Sequence, residues 1–479
     1  MIALTVADLV AATGGVAHGV ESASLVTGVS LDSRTTAPGD IFVAIVGETH
    51  DAHDHVAQAL ARGAVLAMVS RPIDGPILQV EDTVRGLGAV ARASLDRLPN
   101  CRVIAITGSS GKTSTKDIIA QVLAQVAVTV APEGSFNNEI GLPSTVLKAD
   151  ETTRFLVMEM GMRGHGHIEY LCAIAPPSVG VVTNVGTAHV ELLGSQDAIA
   201  LAKSELVQAL PSEGVAILNH DDPRVDAMRS ATPARVLTYG ESEGSDVQAV
   251  EVVLDDLARA RFTLVHAEAR ADVHLNLHGR HQVWNALAAA AVLVSVGISV
   301  AEAARMLGEV GRASRWRMEV DRTSSGTVIV NDAYNANPES MRAALEALVV
   351  MSRPPNDTND TNDASERVKR RSWAVLGEMR ELGSASEGAH RELGRLVADL
   401  GIDRLVAVGD GTLPLHQAAL EAMGPGRVQW VPDVDGAVAL LGAALAPDDI
   451  ALIKASRSIG LERVAHALLG PSSDKDGEP

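Results

Sequence analysis

The sequence predicts an α/β protein of three domains, each a mostly parallel sheet covered by helices. Three observations lead to that expectation. The chain has 479 residues, where a domain takes roughly 150. Short apolar, β-rich runs alternate with helical patterns along most of it, the order produced by parallel strands joined through crossover helices. Hydrophobic residues make up 46% of the chain and aromatics 2%, so Ala, Val and Leu must fill the interiors.

In residues 1–100 the order is a helix at TVADLVAA, a strand at DIFVAIVG, a helix at HVAQALARGA, a strand at AVLAMVS and a helix at TVRGLGAVARASLDRL. These elements make a small N-terminal α/β domain, ended by the Pro99-Asn100 punctuation. Residues 101–313 open on the strand RVIAIT and continue through TRFLVMEM, VGVVTNVG and GVAILN, each followed by a polar loop and a helical segment. An Ala-rich helix over 282–296 and another over 301–309 close this central domain. Residues 314–479 begin a new series: TVIVND, a helix over 338–351, WAVLGE, RLVAVGD and ALIKAS. Within it the polar stretch 352–371, SRPPNDTNDTNDASERVKRR, cannot support a core and is expected to be a disordered insertion; 471–479 is expected to be a disordered tail.

Acidic residues outnumber basic ones by 60 to 40, a formal charge of −20. That balance excludes a sequence-independent grip on nucleic acid or anionic lipid, so any bound anion must be held locally. Two cysteines, Cys101 and Cys172, exclude a disulfide framework and fit a reducing compartment. The N-terminus lacks the basic start of a signal peptide. The longest nearly apolar stretch, 286–300, falls short of the ~20 residues of a membrane span, so a soluble cytoplasmic protein is expected. Lysines number only seven among the 40 basic residues, so a lysine inside a motif points to chemistry that a guanidinium cannot supply.

The sharpest motif is IAITGSSGKTS. A strand runs into a glycine-rich turn, Thr107-Gly108-Ser109-Ser110-Gly111, and a helix begins at Lys112-Thr113-Ser114, so backbone N–H groups and a helix N-terminus can wrap phosphates. Lys112 can reach the β- and γ-phosphates and the Thr113 hydroxyl can ligate Mg²⁺. The general P-loop pattern has Gly where this chain has Ile106. Glu159 ends the apolar run FLVMEM and His189 follows the run VGVVTNVG; each is either a metal ligand beside the phosphate loop or an ordinary loop residue. Lys203, in IALAKSEL, is either a snorkelling surface lysine or a desolvated amine open to modification.

TGSSGKTST, EMGM, TNVGTAHVE, AKSEL, GRHQVWNALAA and NDAYNANPES, in this order and spacing, resemble the Mur ligase family of ATP-dependent amide ligases over nearly the whole chain. That family's P-loop also lacks the first Gly. The resemblance implies an acyl-phosphate mechanism, with Lys112 and Thr113 on the ATP phosphates, Thr113 and Glu159 on a first Mg²⁺, and His189 on a second. Lys203 matches the lysine that the family converts with CO₂ to a carbamate beside the metals. Asn285, Arg317 and Asp332 match nucleotide-contacting positions, with Arg315 an alternative to Arg317.

The resemblance also implies a UDP-sugar-binding N-terminal domain, a P-loop ATPase centre and a Rossmann-like C-terminal domain. Asp32, Ser33 and Arg34 would meet the uridine or its phosphates, or form a plain Asx turn. Asn137 and Asn138 in SFNNEIGLP match a muropeptide-contacting loop. NDAYNANPES resembles the branch that joins D-alanyl-D-alanine to UDP-N-acetylmuramoyl-tripeptide; the diamino-acid-adding branch has a different segment there and a selectivity motif absent from this chain. Asn335 and Asn337 would lie near the nucleotide or dipeptide. Lys454, Ser456 and Arg457 would face the dipeptide carboxylate or make a structural salt bridge. Lys116, Lys148, Lys369 and Lys475 carry no role and are expected at the surface. A monomer completing the cytoplasmic peptidoglycan precursor is the implied whole.

Overall fold

The computed structural model describes residues 1–187, 190–353 and 369–470. Three larger sheets organise them. The N-terminal sheet has five strands in the order Val16–His18, Ile77–Gln79, Leu66–Val69, Asp40–Val43 and Gly28–Ser30, antiparallel only at the Val16–His18 edge.

The central sheet has nine strands. Its parallel part runs Val247–Leu254, Arg235–Gly240, Val215–Asn219, Val179–Val182, Arg102–Thr107, Phe155–Glu159 and Thr129–Val130. Strand Arg102–Thr107 lies inside this sheet and alternates between two cores. Val103 and Ala105 pack with helices Thr83–Leu95, His167–Ile174 and Gln196–Gln208, whereas Ile104 and Ile106 pack with Lys112–Ala124 and Gln282–Ser295. Burial on both faces is why it reads as a continuous apolar run. The first of these cores also takes in Ile41, Leu66 and Leu78 of the N-terminal sheet, so helix Thr83–Leu95 is glue between the two units.

Residues 235–278, given no elements from the sequence, form four strands: Arg235–Gly240, Val247–Leu254, Arg259–His266 and Ala269–His278. The last two are added antiparallel. Ala260, Phe262 and Leu264 are buried while Arg261 is exposed, the alternation of a strand with one wet face.

The C-terminal sheet has six strands in the order Glu319–Arg322, Val328–Asn331, Ile450–Lys454, Ser372–Leu376, Arg404–Val408 and Val428–Val431, antiparallel only at its first edge. Of the polar stretch 352–371, residues 354–368 lie outside the described residues, as does 471–479. Its described flanks are built into the domain: Ser352 ends helix Pro338–Ser352, and Arg371 Nη2 donates to Asp449 Oδ2 at 2.6 Å. Asp449 also accepts from Trp373 Nε1 and the Ala446 amide. It thereby fixes the entry to strand Ile450–Lys454, whose far end carries Lys454 into the site. Asp449→Ala should lower the stability of this unit by about 2–3 kcal/mol by stranding a buried indole N–H and a guanidinium. A urea midpoint equal to that of the wild type would contradict this.

Candidate active site

The C-terminal ends of strands Arg102–Thr107, Phe155–Glu159 and Val179–Val182 converge, because the three are parallel neighbours. The loop after Thr107 is shaped by close approach. A Cβ on Gly108, at φ 154°, would fall 1.8 Å from Thr183 Oγ1, and one on Gly111, at φ 78°, would fall 2.8 Å from Asn285 Oδ1. Ile106 sits on the strand with its side chain fully buried, which is why an apolar residue replaces the general motif's glycine. Asn184 braces the loop: its Oδ1 accepts from the Ser110 amide at 2.9 Å and its Nδ2 donates to the Ser110 carbonyl at 3.1 Å. Lys112 begins the following helix, and its ammonium donates to the Gly108 carbonyl at 2.8 Å. Burial pushes the Lys112 pKa down, against the opposing pull of Glu159.

Glu159 is 1% exposed. Its Oε2 accepts from Thr113 Oγ1 at 2.7 Å and its Oε1 from Asn137 Nδ2 at 2.7 Å. Both donors are neutral, and no ion pair to Glu159 is present among the described residues. A buried carboxylate with only neutral partners lacks full charge compensation. Together with the Thr113 hydroxyl it is an oxygen donor set suited to a hard divalent cation. The geometry distinguishes the two candidate arginines. Arg317 Nη2 donates to Thr113 Oγ1 at 2.8 Å and its guanidinium lies 4.1 Å over the Tyr334 ring, whereas Arg315 is exposed and lines no part of the cavity.

These residues line a cavity of about 680 Å³ between the central and C-terminal units. Asn285 is on its wall, accepting from Thr115 Oγ1 at 3.0 Å and donating to Gln282 Oε1 at 2.9 Å. Asp332 also lines it, held by Lys454 Nζ at 2.7 Å and by the Met318 amide at 3.1 Å. A second cavity, about 820 Å³, lies between Asp82 and Arg85 of the N-terminal unit and central residues including Asn138 and Tyr170. The two cavities share Lys112, Asn137 and Glu381 as lining.

The structure separates some of the remaining expected residues and gathers others. Lys454, Ser456 and Arg457 do not form one group: Lys454 is buried and spends its ammonium on Asp332 and the Asn335 carbonyl. The Ser456 hydroxyl accepts from the Arg380 amide, and Arg457 pairs with Glu462 and stacks over Trp316. Asn335 and Asn337 both line the first cavity, though the Asn337 side chain caps helix Pro338–Ser352. Asn138 Oδ1 accepts from the Gly141 amide. Asp32 and Arg34 pair with each other, Ser33 bonds Gln58, and none of the three lines either cavity. The Asp32 carboxyl is lowered to about 2 by Arg34. Lys116 is not on the surface, being 2% exposed.

Residues not anticipated include Asp222, whose carboxylate accepts from the Val185 amide, and Glu339, which accepts from the Thr187 amide and hydroxyl across the cavity. Glu339 lay in plain view within NANPES, but only the fold shows what it faces.

His189 lies outside the described residues. Lys203, on helix Gln196–Gln208, is 1% exposed and has no ion pair among the described residues. Burial first, and Lys112 second, hold its pKa well below the ordinary 10.5.

Comparison with known proteins follows the same lines. Residues 106–293 match the Mur ligase middle domain and 316–457 the Mur ligase glutamate ligase domain. The chain is 44% identical to a UDP-N-acetylmuramoyl-tripeptide–D-alanyl-D-alanine ligase of Mycobacterium tuberculosis strain H37Rv, over 98% of both chains. It is 34% identical to the ligase of that name from Escherichia coli K12, over 98% of this chain and 99% of that one. It superposes on MurF of Acinetobacter baumannii with a TM-score of 0.86 at 32% identity, covering 98% of this chain and 99% of that one. MurF of Thermotoga maritima in complex with ADP gives 0.78 at 28% identity, covering 91% and 96%. The chain belongs to the Mur ligase family.

Lys203 has a measurable signature in the folded protein without ligands. The unfolded chain binds its proton up to about pH 10.4, whereas the folded chain releases it at lower pH. Across that window the unfolded state holds more protons, so this residue makes stability rise with pH. Lys203→Met should flatten the rise in urea midpoint between neutral pH and about pH 10. Parallel profiles for the two proteins would show that the native ammonium stays charged.

Proposed function

We propose that this chain is an ADP-forming amide ligase that joins D-alanyl-D-alanine to UDP-N-acetylmuramoyl-tripeptide, the last cytoplasmic addition to the peptidoglycan pentapeptide. The observation that carries it is the meeting of two cavities at Lys112, with the Thr113–Glu159 pair beside it. ATP in the first cavity would present its γ-phosphate at Lys112. The tripeptide, entering from the N-terminal unit through the second, would bring its terminal carboxylate to the same lysine. The relatives' activity and the ADP held by the Thermotoga maritima protein support this reading.

Lys112 would draw charge from the γ-phosphate as the carboxylate attacks phosphorus in line and the bond to the β-bridging oxygen breaks, giving acyl phosphate and ADP. The dipeptide amine then attacks the acyl carbon, phosphate departs, and the amine proton is lost. Arg317 and Asp332 would hold the nucleotide from the C-terminal side, with Asn285 from the central side. Asn335 and Asn337 would stand beside the incoming dipeptide. Mg²⁺ held by Thr113 and Glu159, with a second ion at His189 and the Lys203 carbamate, would supply charge neutralisation at the phosphates. A neutral Lys203 amine is the form that takes up CO₂, which burial favours. Water competes with the amine, and contacts that reach across from the C-terminal unit, Arg317 to Thr113 and Glu339 to Thr187, help to exclude it.

Residues 1–100, 101–313 and 314–479 would then serve muropeptide, ATP and dipeptide in turn, in a monomer. Among the described residues no helix is long and apolar enough to cross a membrane. The test is ADP release with UDP-N-acetylmuramoyl-tripeptide and a panel of amines. D-Alanyl-D-alanine should support turnover, a diamino acid should not, and Lys112→Ala should lose at least about 10²–10³-fold in kcat. ATP binding without ADP release under these conditions would overturn the proposal, as would preference for the diamino acid. With labelled bicarbonate, a carbamate carbon resonance should appear in the wild type and vanish in Lys203→Met.

A further inference from the structure

Lys116 lies one helical turn beyond Lys112 on helix Lys112–Ala124. Its ammonium donates to the Pro132 carbonyl at 2.8 Å and the Gly134 carbonyl at 3.0 Å, and it forms an ion pair with Asp117 Oδ1 at 2.5 Å. Burying an ammonium this fully is costly unless it is hydrogen-bonded and paired, and here two carbonyls and one carboxylate serve it. The two carbonyls belong to the segment that leads into Ser135-Phe136-Asn137-Asn138.

That segment is where the two cavities are joined. Ser135 bonds Tyr334 of the C-terminal unit, Asn137 holds Glu159 and lines both cavities, and Asn138 lines the second. Phe136 between them is 57% exposed, so its ring does not anchor the loop through burial. Lys116 ties the backbone at the start of the loop to the P-loop helix, while Glu159 and the Gly161 amide hold Asn137 further along.

We propose that Lys116 is a positioning residue for the tripeptide substrate: it ties the 132–138 loop to the phosphate-binding helix, so that Asn137 and Asn138 are placed for the muropeptide by the same helix that carries Lys112. A methionine there would leave two carbonyls and the Asp117 carboxylate without their donor and free the loop to move, while the P-loop backbone and its Asn184 brace stay intact. The proposal rests on the ligase reading above.

The experiment is steady-state ADP release by the wild type, Lys116→Met, Lys116→Gln, Asn137→Ala and the double variant Lys116→Met/Asn137→Ala. ADP affinity, measured by titration calorimetry, reports whether the nucleotide site is folded. Expected are a rise of about tenfold or more in KM for UDP-N-acetylmuramoyl-tripeptide with Lys116→Met, a smaller rise with Lys116→Gln, and KM for ATP and ADP affinity within about twofold of wild type. Lys116→Met should cost less in the Asn137→Ala background than alone, because both act through the same loop. An unchanged tripeptide KM, an equal rise in the KM for ATP, or strict additivity would overturn the proposal. Loss of ADP binding by both Lys116 variants would also do so, marking Lys116 as part of the structural core. A wild type that releases no ADP with tripeptide and dipeptide would instead refute the ligase reading.

Discussion

The carboxylate of Glu159 is the constraint on which the centre of this molecule is arranged. It stands at the end of a strand buried on both faces, where an anion is expensive, and its two hydrogen bonds draw in the two segments that matter most. Thr113 comes from the phosphate-binding helix and Asn137 from the loop between the cavities. Arg317 then bonds to the same Thr113 hydroxyl from the C-terminal unit. One buried oxygen pair thus fixes the relation of three segments far apart in sequence. Its charge remains without a full counterpart among the described residues, which is what a cation site requires.

An overall charge of −20 would repel a nucleotide and a nucleoside-diphosphate sugar if it acted at the site. The site instead sets a few cations and backbone donors among its carboxylates. Backbone N–H groups at the start of the helix, Lys112 and Arg317 line one cavity, and Arg85, Arg163 and two histidines line the other. Asp332, one of the acidic residues that the C-terminal unit brings to this cavity, has its charge taken by Lys454. Salt screening limits the reach of the distant surface charge to roughly a Debye length, about 8–10 Å, and because carboxylates outnumber Lys and Arg in the lining of both cavities, a divalent cation at Thr113 and Glu159 would have to complete the neutralisation of a bound phosphate.

Much of this was legible because the central strands are buried on both faces. RVIAIT, FLVME and VGVV are uninterrupted apolar runs, and the phosphate loop is contiguous in sequence, so its strand, turn and helix could be placed together. Strands Arg259–His266 and Ala269–His278 were passed over because one wet face interrupts their hydrophobicity with arginine, aspartate and histidine. Among site residues, local chemistry could be read and convergence could not. Thr113 and Arg317 are 204 positions apart, and Thr115 and Asn285 are 170. Only the sheet order brings such pairs together. The resemblance to a family supplied Arg317 and Asp332 where spacing alone offered nothing.

Lysine scarcity proved more informative than the individual lysine assignments. Lys116, Lys203 and Lys454 are all buried, and Lys112 is largely so, whereas Lys148 and Lys369 are exposed. Arginine covers most of the surface cationic work in this chain. The buried positions have a common geometry: Lys116 and Lys454 each gather two backbone carbonyls and one carboxylate around a single nitrogen. A compact ammonium with three tetrahedrally directed donors can satisfy such a set, and a planar guanidinium cannot without pushing the carbonyls apart. Lys203 is the opposite case, an amine with no hydrogen bond or ion pair among the described residues that burial drives toward neutrality. The same residue type thus serves as a tie where carbonyls converge, and where they do not its buried amine is held toward the neutral form. The number of acceptors around the nitrogen separates the two uses, and no pattern in the flanking sequence does.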